Sequence, residues 1–94
     1  MWYVYILKCR NGALYTGVTD NIERRLREHN SGKGGKYTVV WRPVTLLYSE
    51  TYRNKSDALK REIQIKKWTR VKKLDLVRRN HTKLRNLSRR RKCH

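Results

Sequence analysis

The chain opens with a nearly continuous apolar run over residues 2–9, in which β-branched and aromatic side chains predominate. Such a run predicts a central strand covered on both faces, because a strand with one face in water would alternate apolar and polar positions. A second apolar segment covers residues 13–18, and the Asn11-Gly12 pair between the two segments is a strong signal for a hairpin turn. The pattern therefore predicts an antiparallel hairpin at the start of the fold.

The length of the hairpin loop decides which side chains share a face, because a shift of one residue in register moves every side chain to the other face. A two-residue loop of Asn11 and Gly12 would place Tyr5 and Tyr15 on opposite faces. A three-residue loop of Arg10 to Gly12, with Gly12 in a left-handed conformation, would place both rings on one face. The pattern leaves both loops open, and a site shared by the two tyrosines requires the second.

A helix is predicted from about residue 21 to residue 29, with Asp20 or Thr19 as its N-cap. Its packing face repeats at helical spacing and consists of Ile22, Arg25, Leu26 and His29. Residues 31–37 contain three glycines and two lysines, so we expect the helix to stop there and a flexible basic loop to follow.

The second half of the chain predicts one more strand and two helices. The strand covers residues 44–52, directly after Arg42-Pro43, and the next helix starts at Asn54 or Ser56 and continues to about residue 68. The expected packing face of that helix consists of Leu59, Glu62, Ile63 and Lys66, with Ala58 and Ile65 adjoining. A shorter third helix, capped by Thr69, carries Val71, Leu74 and Val77.

The charge composition of the chain indicates which class of partner it binds. Lys and Arg number 25 against 7 Asp and Glu, which gives a formal net charge of +18 on 94 residues. A charge of this size attracts polyanions, and binding to phosphates is favoured by the release of condensed counterions. Nucleic acid is therefore the favoured partner. An anionic membrane surface is the weaker hypothesis, because no long basic amphipathic helix with a continuous apolar face stands out.

A chain of this length predicts one domain with a single modest core. We place that domain at residues 1–79 and interpret residues 80–94, which contain no acid and only two aliphatic side chains, as a flexible basic tail. Cys9 and Cys93 lie near opposite ends of the chain, so a disulfide is not expected and a reducing cytoplasm is the simplest location.

Glu62 is a carboxylate on the expected packing face of a helix, where it needs a positive partner or a metal ion. One carboxylate, water molecules and phosphate oxygens together make an ordinary Mg²⁺ site. The alternative is a surface pair between Glu62 and Lys66 at helical spacing, which stabilises a helix by only about 0.2 to 0.5 kcal/mol. The helix alone favours the surface pair, and the choice depends on what the first part of the chain supplies.

Arg25 and His29 lie one turn apart on the first helix. An arginine that faces a site can bind a phosphate with two N–H groups and stabilise developing negative charge, although most arginines in so basic a chain lie in solvent. The histidine can activate water or orient a tyrosine, or it can be a satisfied core residue. Tyr5 and Tyr15 can hold the attacking water, and they can deprotonate it only if nearby cations lower a phenol pKa that is ordinarily near 10.

Several short motifs occur in order along the chain and together resemble the GIY-YIG nuclease superfamily. They are Tyr3-Val4-Tyr5, Tyr15-Thr16-Gly17, residues 21–26 with His29-Asn30, Lys36-Tyr37-Thr38, Arg42-Pro43 and residues 58–62. The match extends over roughly residues 2–77, and the chain is most similar to small, single-domain bacterial members.

The resemblance implies an α+β fold with a three-stranded antiparallel sheet flanked by helices, and an endonuclease that hydrolyses DNA phosphodiester bonds. It also implies a site lined by Tyr5, Tyr15, Arg25 and His29, with one Mg²⁺ or Mn²⁺ ion on Glu62. We expect five further basic residues to contact nucleic acid, namely Arg24, Lys33, Lys36, Arg42 and Lys66. Structure-specific cutting in DNA repair or processing is the expected use.

The alternative hypothesis is a nucleic-acid-binding module that keeps the nuclease fold without turnover and binds DNA or structured RNA. Both hypotheses predict a cytoplasmic monomer without an obligate protein partner or a membrane association. They differ in whether a divalent metal is needed for any change in the bound nucleic acid.

Overall fold

The computed structural model describes residues 1–33 and 36–79 of the chain. The elements follow in the order β1 (Trp2–Lys8), β2 (Leu14–Thr19), α1 (Ile22–Asn30), α2 (Lys36–Val40), β3 (Thr45–Tyr52), α3 (Lys55–Lys66) and a last helix, α4, over residues 70–79. The basic tail expected at residues 80–94 lies outside the described part of the chain.

The three strands form one antiparallel sheet in the order β2-β1-β3. β1 is the central strand, and its residues Val4 to Leu7 are all buried because helices cover both faces of the sheet. The predicted α+β class, with a three-stranded antiparallel sheet flanked by helices, is confirmed. The prediction that the first strand is central is confirmed as well.

The hairpin uses the longer of the two loops that the sequence allowed. Tyr5 pairs with Gly17, and Tyr15 lies two positions before that glycine on β2, so both tyrosines face the same side of the sheet. Residues 10–12 form the loop, and Gly12 has φ of +88°, a left-handed conformation that glycine adopts without the clash a Cβ would cause.

Two hydrophobic clusters occupy the two faces of the sheet. On one face, Val4 and Ile6 pack against α3 and α4 through Ala58, Ile65 and Val77. On the other face, Tyr5 and Leu7 pack with Cys9 and Val44 against Ile22 and Leu26 of α1. The helix face predicted for α1 is therefore the one that contacts the sheet.

The ends of α1 differ in detail from the prediction. Its N-cap is Asn21, whose side chain accepts a hydrogen bond from the Arg24 amide at 3.0 Å, and not Asp20 or Thr19. At the other end, Gly32 has φ of +91° and the Lys33 amide donates to the Glu28 carbonyl at 2.8 Å. Gly32 thus follows the C-cap residue Ser31 in a Schellman motif, which satisfies the last carbonyls of the helix.

The second helix, α2, is absent from the sequence prediction, which treated residues 31–37 as a flexible loop. The prediction is wrong from Lys36 onward, because α2 begins there. The helix has only five residues, and three of them are the β-branched Thr38, Val39 and Val40, which have low helix propensity. Tertiary contacts stabilise this helix, and its residue Thr38 is fully buried.

The third helix, α3, starts after the predicted cap Asn54 but packs through a different face from the one expected. Leu59 and Ile63 are 38% and 54% exposed, whereas Ala58 and Ile65 are fully buried. Glu62 lies between these two on the inner face, because positions 58, 62 and 65 follow helical spacing. The small Ala58 side chain and an ion pair between Arg61 of α3 and β3 turn this face toward the sheet.

Candidate active site

Three aromatic side chains from two strands and one helix meet beside the β1–β2 hairpin. The ring centroids of Tyr5 and Tyr15 are 6.4 Å apart, and that of His29 lies 6.2 Å from the first and 5.3 Å from the second. Both tyrosines meet the histidine edge to face, at 67°. The residues that the sequence grouped by motif are thus in direct contact, and Tyr15 is only half buried at the edge of the cluster.

Gly17 provides the space for the Tyr5 ring. A Cβ atom at this position would lie 2.6 Å from Cζ of Tyr5 and closer still to its hydroxyl oxygen. Because a tyrosine ring is rigid, it could not bend away and would have to rotate as a whole. Gly17 therefore allows the Tyr5 ring to pack directly against the β2 backbone.

His29 is fully buried and makes two side-chain hydrogen bonds. Its Nε2 lies 3.3 Å from the Tyr5 hydroxyl, and its Nδ1 lies 2.8 Å from Oγ1 of Thr38 on α2. Burial and, secondarily, the nearby Arg25 guanidinium lower the pKa of the imidazole below 6.5. The buried imidazole therefore contacts the Tyr5 hydroxyl and exposes no surface to solvent.

Arg25 is partly buried and interacts with the same tyrosine hydroxyl. This interaction is the main cause of a raised pKa for Arg25, which also forms an ion pair with Glu28 at 3.2 Å on the next turn of α1. Its charge is therefore held at the tyrosine cluster, whereas Arg24 of the same helix is exposed and pairs with Asp20. A guanidinium in this position is able to bind a phosphate oxygen.

The surrounding protein groups do not lower the pKa of Tyr5. Burial raises it above 10, and the hydrogen-bonding interaction with Arg25 offsets only part of this rise. The side chain is 3% exposed, so a buried phenolate would lose more solvation than one guanidinium restores. Tyr5 is a protonated phenol at neutral pH, and its hydroxyl serves as a hydrogen-bonding group.

Glu62 projects from the inner face of α3, and its side chain is 16% exposed. Its carboxylate lies 3.5 Å from Nζ of Lys66, so the pair considered from the sequence is present. The same carboxylate is close enough to Tyr5 to oppose ionisation of that phenol. The charge of Glu62 therefore acts on Tyr5, and its ion-pair partner Lys66 is 54% exposed.

The donor set suits a magnesium-type ion with a single protein ligand. Among residues 1–33 and 36–79, no group of three or more His, Cys, Asp or Glu side chains converges on one point, which disfavours a structural metal cage. Mg²⁺ keeps several water molecules and is held by one or two carboxylates together with substrate phosphates. The Glu62 carboxylate fits that coordination.

The residues expected to contact nucleic acid are distributed over the surface. Arg24, Lys33, Arg42 and Lys66 are all exposed, and Arg24 and Lys66 are engaged in ion pairs with carboxylates of their own helical segments. Lys36 starts α2, and its side chain is outside what the structure describes. These positions remain predictions.

Sequence reasoning gave no role to Thr38, although the residue lay inside one of the motifs. Its hydroxyl is the partner of His29, and both side chains are fully buried. A threonine between Tyr37 and Val39 in a five-residue helix carries no periodic signal. The only available hint was that a polar residue in such a position needs a hydrogen-bond partner.

In the part of the chain that the structure covers, no helix is long and apolar enough to cross a membrane.

Comparison with protein families matches residues 1–75 to a model described as the GIY-YIG catalytic domain. A UPF0213 protein of Staphylococcus saprophyticus is 53% identical over 75 residues, which cover 80% of this chain and 92% of that protein. A UPF0213 protein of Staphylococcus aureus is 55% identical over the same coverage.

Two solved structures show the same fold. The solution NMR structure of a UPF0213 protein from Bacillus halodurans has a TM-score of 0.53 at 42% identity and covers 82% of this chain and 83% of that one. The solution NMR structure of an E. faecalis protein has a TM-score of 0.58 at 41% identity and covers 85% of each chain. Since the matched family model extends over most of the described residues, the chain belongs to the GIY-YIG family of nuclease domains.

Proposed function

We propose that the protein is a DNA endonuclease that hydrolyses phosphodiester bonds with one divalent ion, Mg²⁺ or Mn²⁺, held by Glu62. The observation that carries the proposal is the convergence of Tyr5, Tyr15, Arg25 and His29 at one end of the hairpin. A purely structural cluster would not need an arginine directed at a buried phenol. Family membership supports the same reaction class.

The roles follow from exposure and charge. Arg25 binds the scissile phosphate, because its guanidinium is cationic, partly exposed and held by Tyr5 and Glu28. Tyr15 is the tyrosine that contacts the attacking water, since it is half buried whereas Tyr5 lies below the surface. Tyr5 holds Arg25 in place. When bound, the divalent ion neutralises charge on the non-bridging phosphate oxygens.

DNA binding rests on the net charge of +18 and on exposed basic side chains that include Lys33, Arg42 and Lys66. These contacts position a backbone without reading sequence, so structure-specific cutting in DNA repair or processing is the use we favour. The free, buried thiol of Cys9 fits a reducing cytoplasm, and a monomer is the expected state.

The test compares Arg25→Ala with Arg27→Ala, which removes an exposed arginine half a turn away on the same helix. We expect Arg25→Ala to reduce metal-dependent cleavage about 100-fold or more, the typical loss on removing one group that stabilises transition-state charge. Arg27→Ala should cleave at close to the normal rate, and both variants should bind DNA with similar affinity.

Equal cleavage by the two variants would remove Arg25 from the proposed mechanism. Salt-sensitive binding without products from any DNA, including with the wild-type protein, would favour the alternative of a binding module and direct the next experiments to structured RNA.

A further inference from the structure

One arrangement of protons satisfies the groups around the buried Tyr5 hydroxyl. A guanidinium donates hydrogen bonds and has no acceptor, so its interaction with Tyr5 uses the lone pairs of the phenol oxygen. Nε2 of His29 lies 3.3 Å from the same oxygen. A protonated Nε2 would also donate to this oxygen and leave the buried phenol proton with neither group as an acceptor, whereas a bare Nε2 accepts that proton.

A neutral imidazole with a bare Nε2 carries its proton on Nδ1. The Nδ1 atom lies 2.8 Å from Oγ1 of Thr38, which is fully buried on α2 and able to accept that proton in a hydrogen bond. The donating guanidinium at one end of this chain of groups is thus matched by a hydrogen-bond acceptor at the other end. The four side chains form a single polarised line, Arg25 to Tyr5 to His29 to Thr38.

We propose that Thr38 is a positioning residue for the phosphate-binding arginine. By accepting from Nδ1, it selects the Nδ1–H tautomer of His29, so that Tyr5 turns its proton inward and its lone pairs toward Arg25. Histidine tautomers in protein sites are commonly fixed in this way, by the partner of the second ring nitrogen. Burial of the imidazole, which disfavours its protonated form, keeps the neutral ring on which this selection operates.

The effect that we expect on cleavage rests on the proposed function. The effect that we expect on the tautomer of His29 does not. Thr38→Val removes the hydroxyl and keeps the branched shape, whereas Thr38→Ser keeps the hydroxyl and loses a methyl group. Thr51→Val is the matched control, because Thr51 is an exposed threonine at the end of β3, opposite Tyr3 of β1.

The first measurement is the tautomer of His29 by long-range ¹H–¹⁵N correlation NMR of protein labelled in its imidazole rings. The signals are assigned with variants in which His81 or His94 is replaced. We expect wild type, Thr38→Ser and Thr51→Val to show a protonated Nδ1 and a bare Nε2 at neutral pH. In Thr38→Val we expect the Nε2–H tautomer to become populated. A wild-type Nε2–H tautomer, or an unchanged Nδ1–H tautomer in Thr38→Val, would overturn the proposal.

The second measurement is metal-dependent DNA cleavage by the same variants. We expect Thr38→Val to lower kcat about five- to tenfold, the effect of one neutral hydrogen bond, with little change in KM. Thr38→Ser should recover most of the rate. A Thr38→Ser variant as slow as Thr38→Val would show that packing matters and not the hydroxyl. If no variant cleaves DNA, the proposed function fails while the NMR result still decides the tautomer.

Discussion

At the scale of single residues, the site depends on how deeply one hydroxyl is buried. The Tyr5 ring lies on the bare backbone of Gly17, and its hydroxyl is enclosed by Arg25 and His29. Burial keeps the phenol protonated, so the residue is suited to hold an arginine and not to act as a base. In the proposed mechanism Tyr15, which is more exposed, contacts the attacking water.

Gly17→Ala should therefore inactivate the site by displacing the Tyr5 ring. The added methyl group would overlap Cζ of Tyr5, and overpacking of this kind costs about 1 to 3 kcal/mol of stability. Gly12→Ala is the matched control in the same hairpin, because a Cβ there contacts nothing within 4 Å and only the left-handed backbone is strained. We expect Gly12→Ala to lose about 1 kcal/mol of stability, the cost of a left-handed residue with a Cβ, and to keep its cleavage rate.

Thermal or urea unfolding and a cleavage assay of both variants make the comparison. Full cleavage by Gly17→Ala would contradict the role given to the Tyr5 ring.

His29 should also make stability depend on pH. Its folded-state pKa lies below 6.5, so the unfolded chain binds more protons as the pH falls through 6.5 and the folded state loses stability. The contribution is complete above pH 6.5 and is lost as the pH falls through the folded-state pKa. We expect the free energy of unfolding of wild type to decline over this window and that of His29→Gln to decline less. Parallel pH profiles for the two proteins would contradict a neutral, buried imidazole.

Local spacing and the order of the motifs allowed some of the site residues to be grouped from the sequence. Tyr5 and Tyr15 lie on the same face of the hairpin once the loop length is fixed, and Arg25 and His29 lie on the same face of a helix. Thr38 could not be predicted, because its role depends on where a five-residue helix docks on His29. The direction of the Tyr5 pKa shift could not be predicted, because desolvation depends on how the structure packs.

At the scale of elements, the position of Glu62 depends on how α3 is fixed to the sheet. Glu50 of β3 accepts hydrogen bonds from Nε and Nη2 of Arg61, both at 3.0 Å, and from the hydroxyls of Tyr48 and Tyr52. Burial alone would raise the pKa of Glu50, but these hydrogen bonds outweigh it and lower the pKa. The residue that anchors the helix is thus the neighbour of Glu62 along the chain.

Glu50→Gln should destabilise the fold by about 2 kcal/mol, because it removes one charge of a largely buried ion pair and leaves Arg61 without its carboxylate. The lowered pKa means that this contribution is present above pH 4.5 and is lost as the pH falls through the folded-state pKa. Asp75→Asn is the control, since Asp75 pairs with two exposed arginines and such pairs contribute about 0 to 1 kcal/mol. Equal stability losses in urea unfolding would contradict the anchoring role.

The elements that sequence predicted well are those with a long or repeated pattern. β1 was recognisable from its continuous apolar run, and α1 was recognisable from a packing face that repeats at helical spacing. α3 was recognisable from its length and its cap, Asn54. The packing face of α3 was not predicted correctly. Leu59 and Ile63 are more hydrophobic than Ala58, but the small alanine side chain allows the helix to approach the sheet. Helix α2 was missed because tertiary contacts override its low intrinsic propensity.

At the scale of the whole molecule, a small core carries a large excess of positive charge. The described fold buries two clusters on the two faces of one sheet, while basic side chains on its helices remain exposed. Such a protein should bind nucleic acid in a salt-dependent manner whether or not it cuts. Binding by itself therefore does not test the proposed chemistry, and a change in the substrate does.

The most direct test is cleavage of labelled duplex, single-stranded, flapped and branched DNA with Mg²⁺ or Mn²⁺, by wild type and Glu62→Gln purified identically. We predict metal-dependent products from wild type on at least one DNA, and products reduced by several orders of magnitude with Glu62→Gln at nearly unchanged DNA affinity. Products that form without a divalent ion, or at the same rate with Glu62→Gln, would contradict the proposal that Glu62 holds a catalytic metal beside Tyr15 and Arg25.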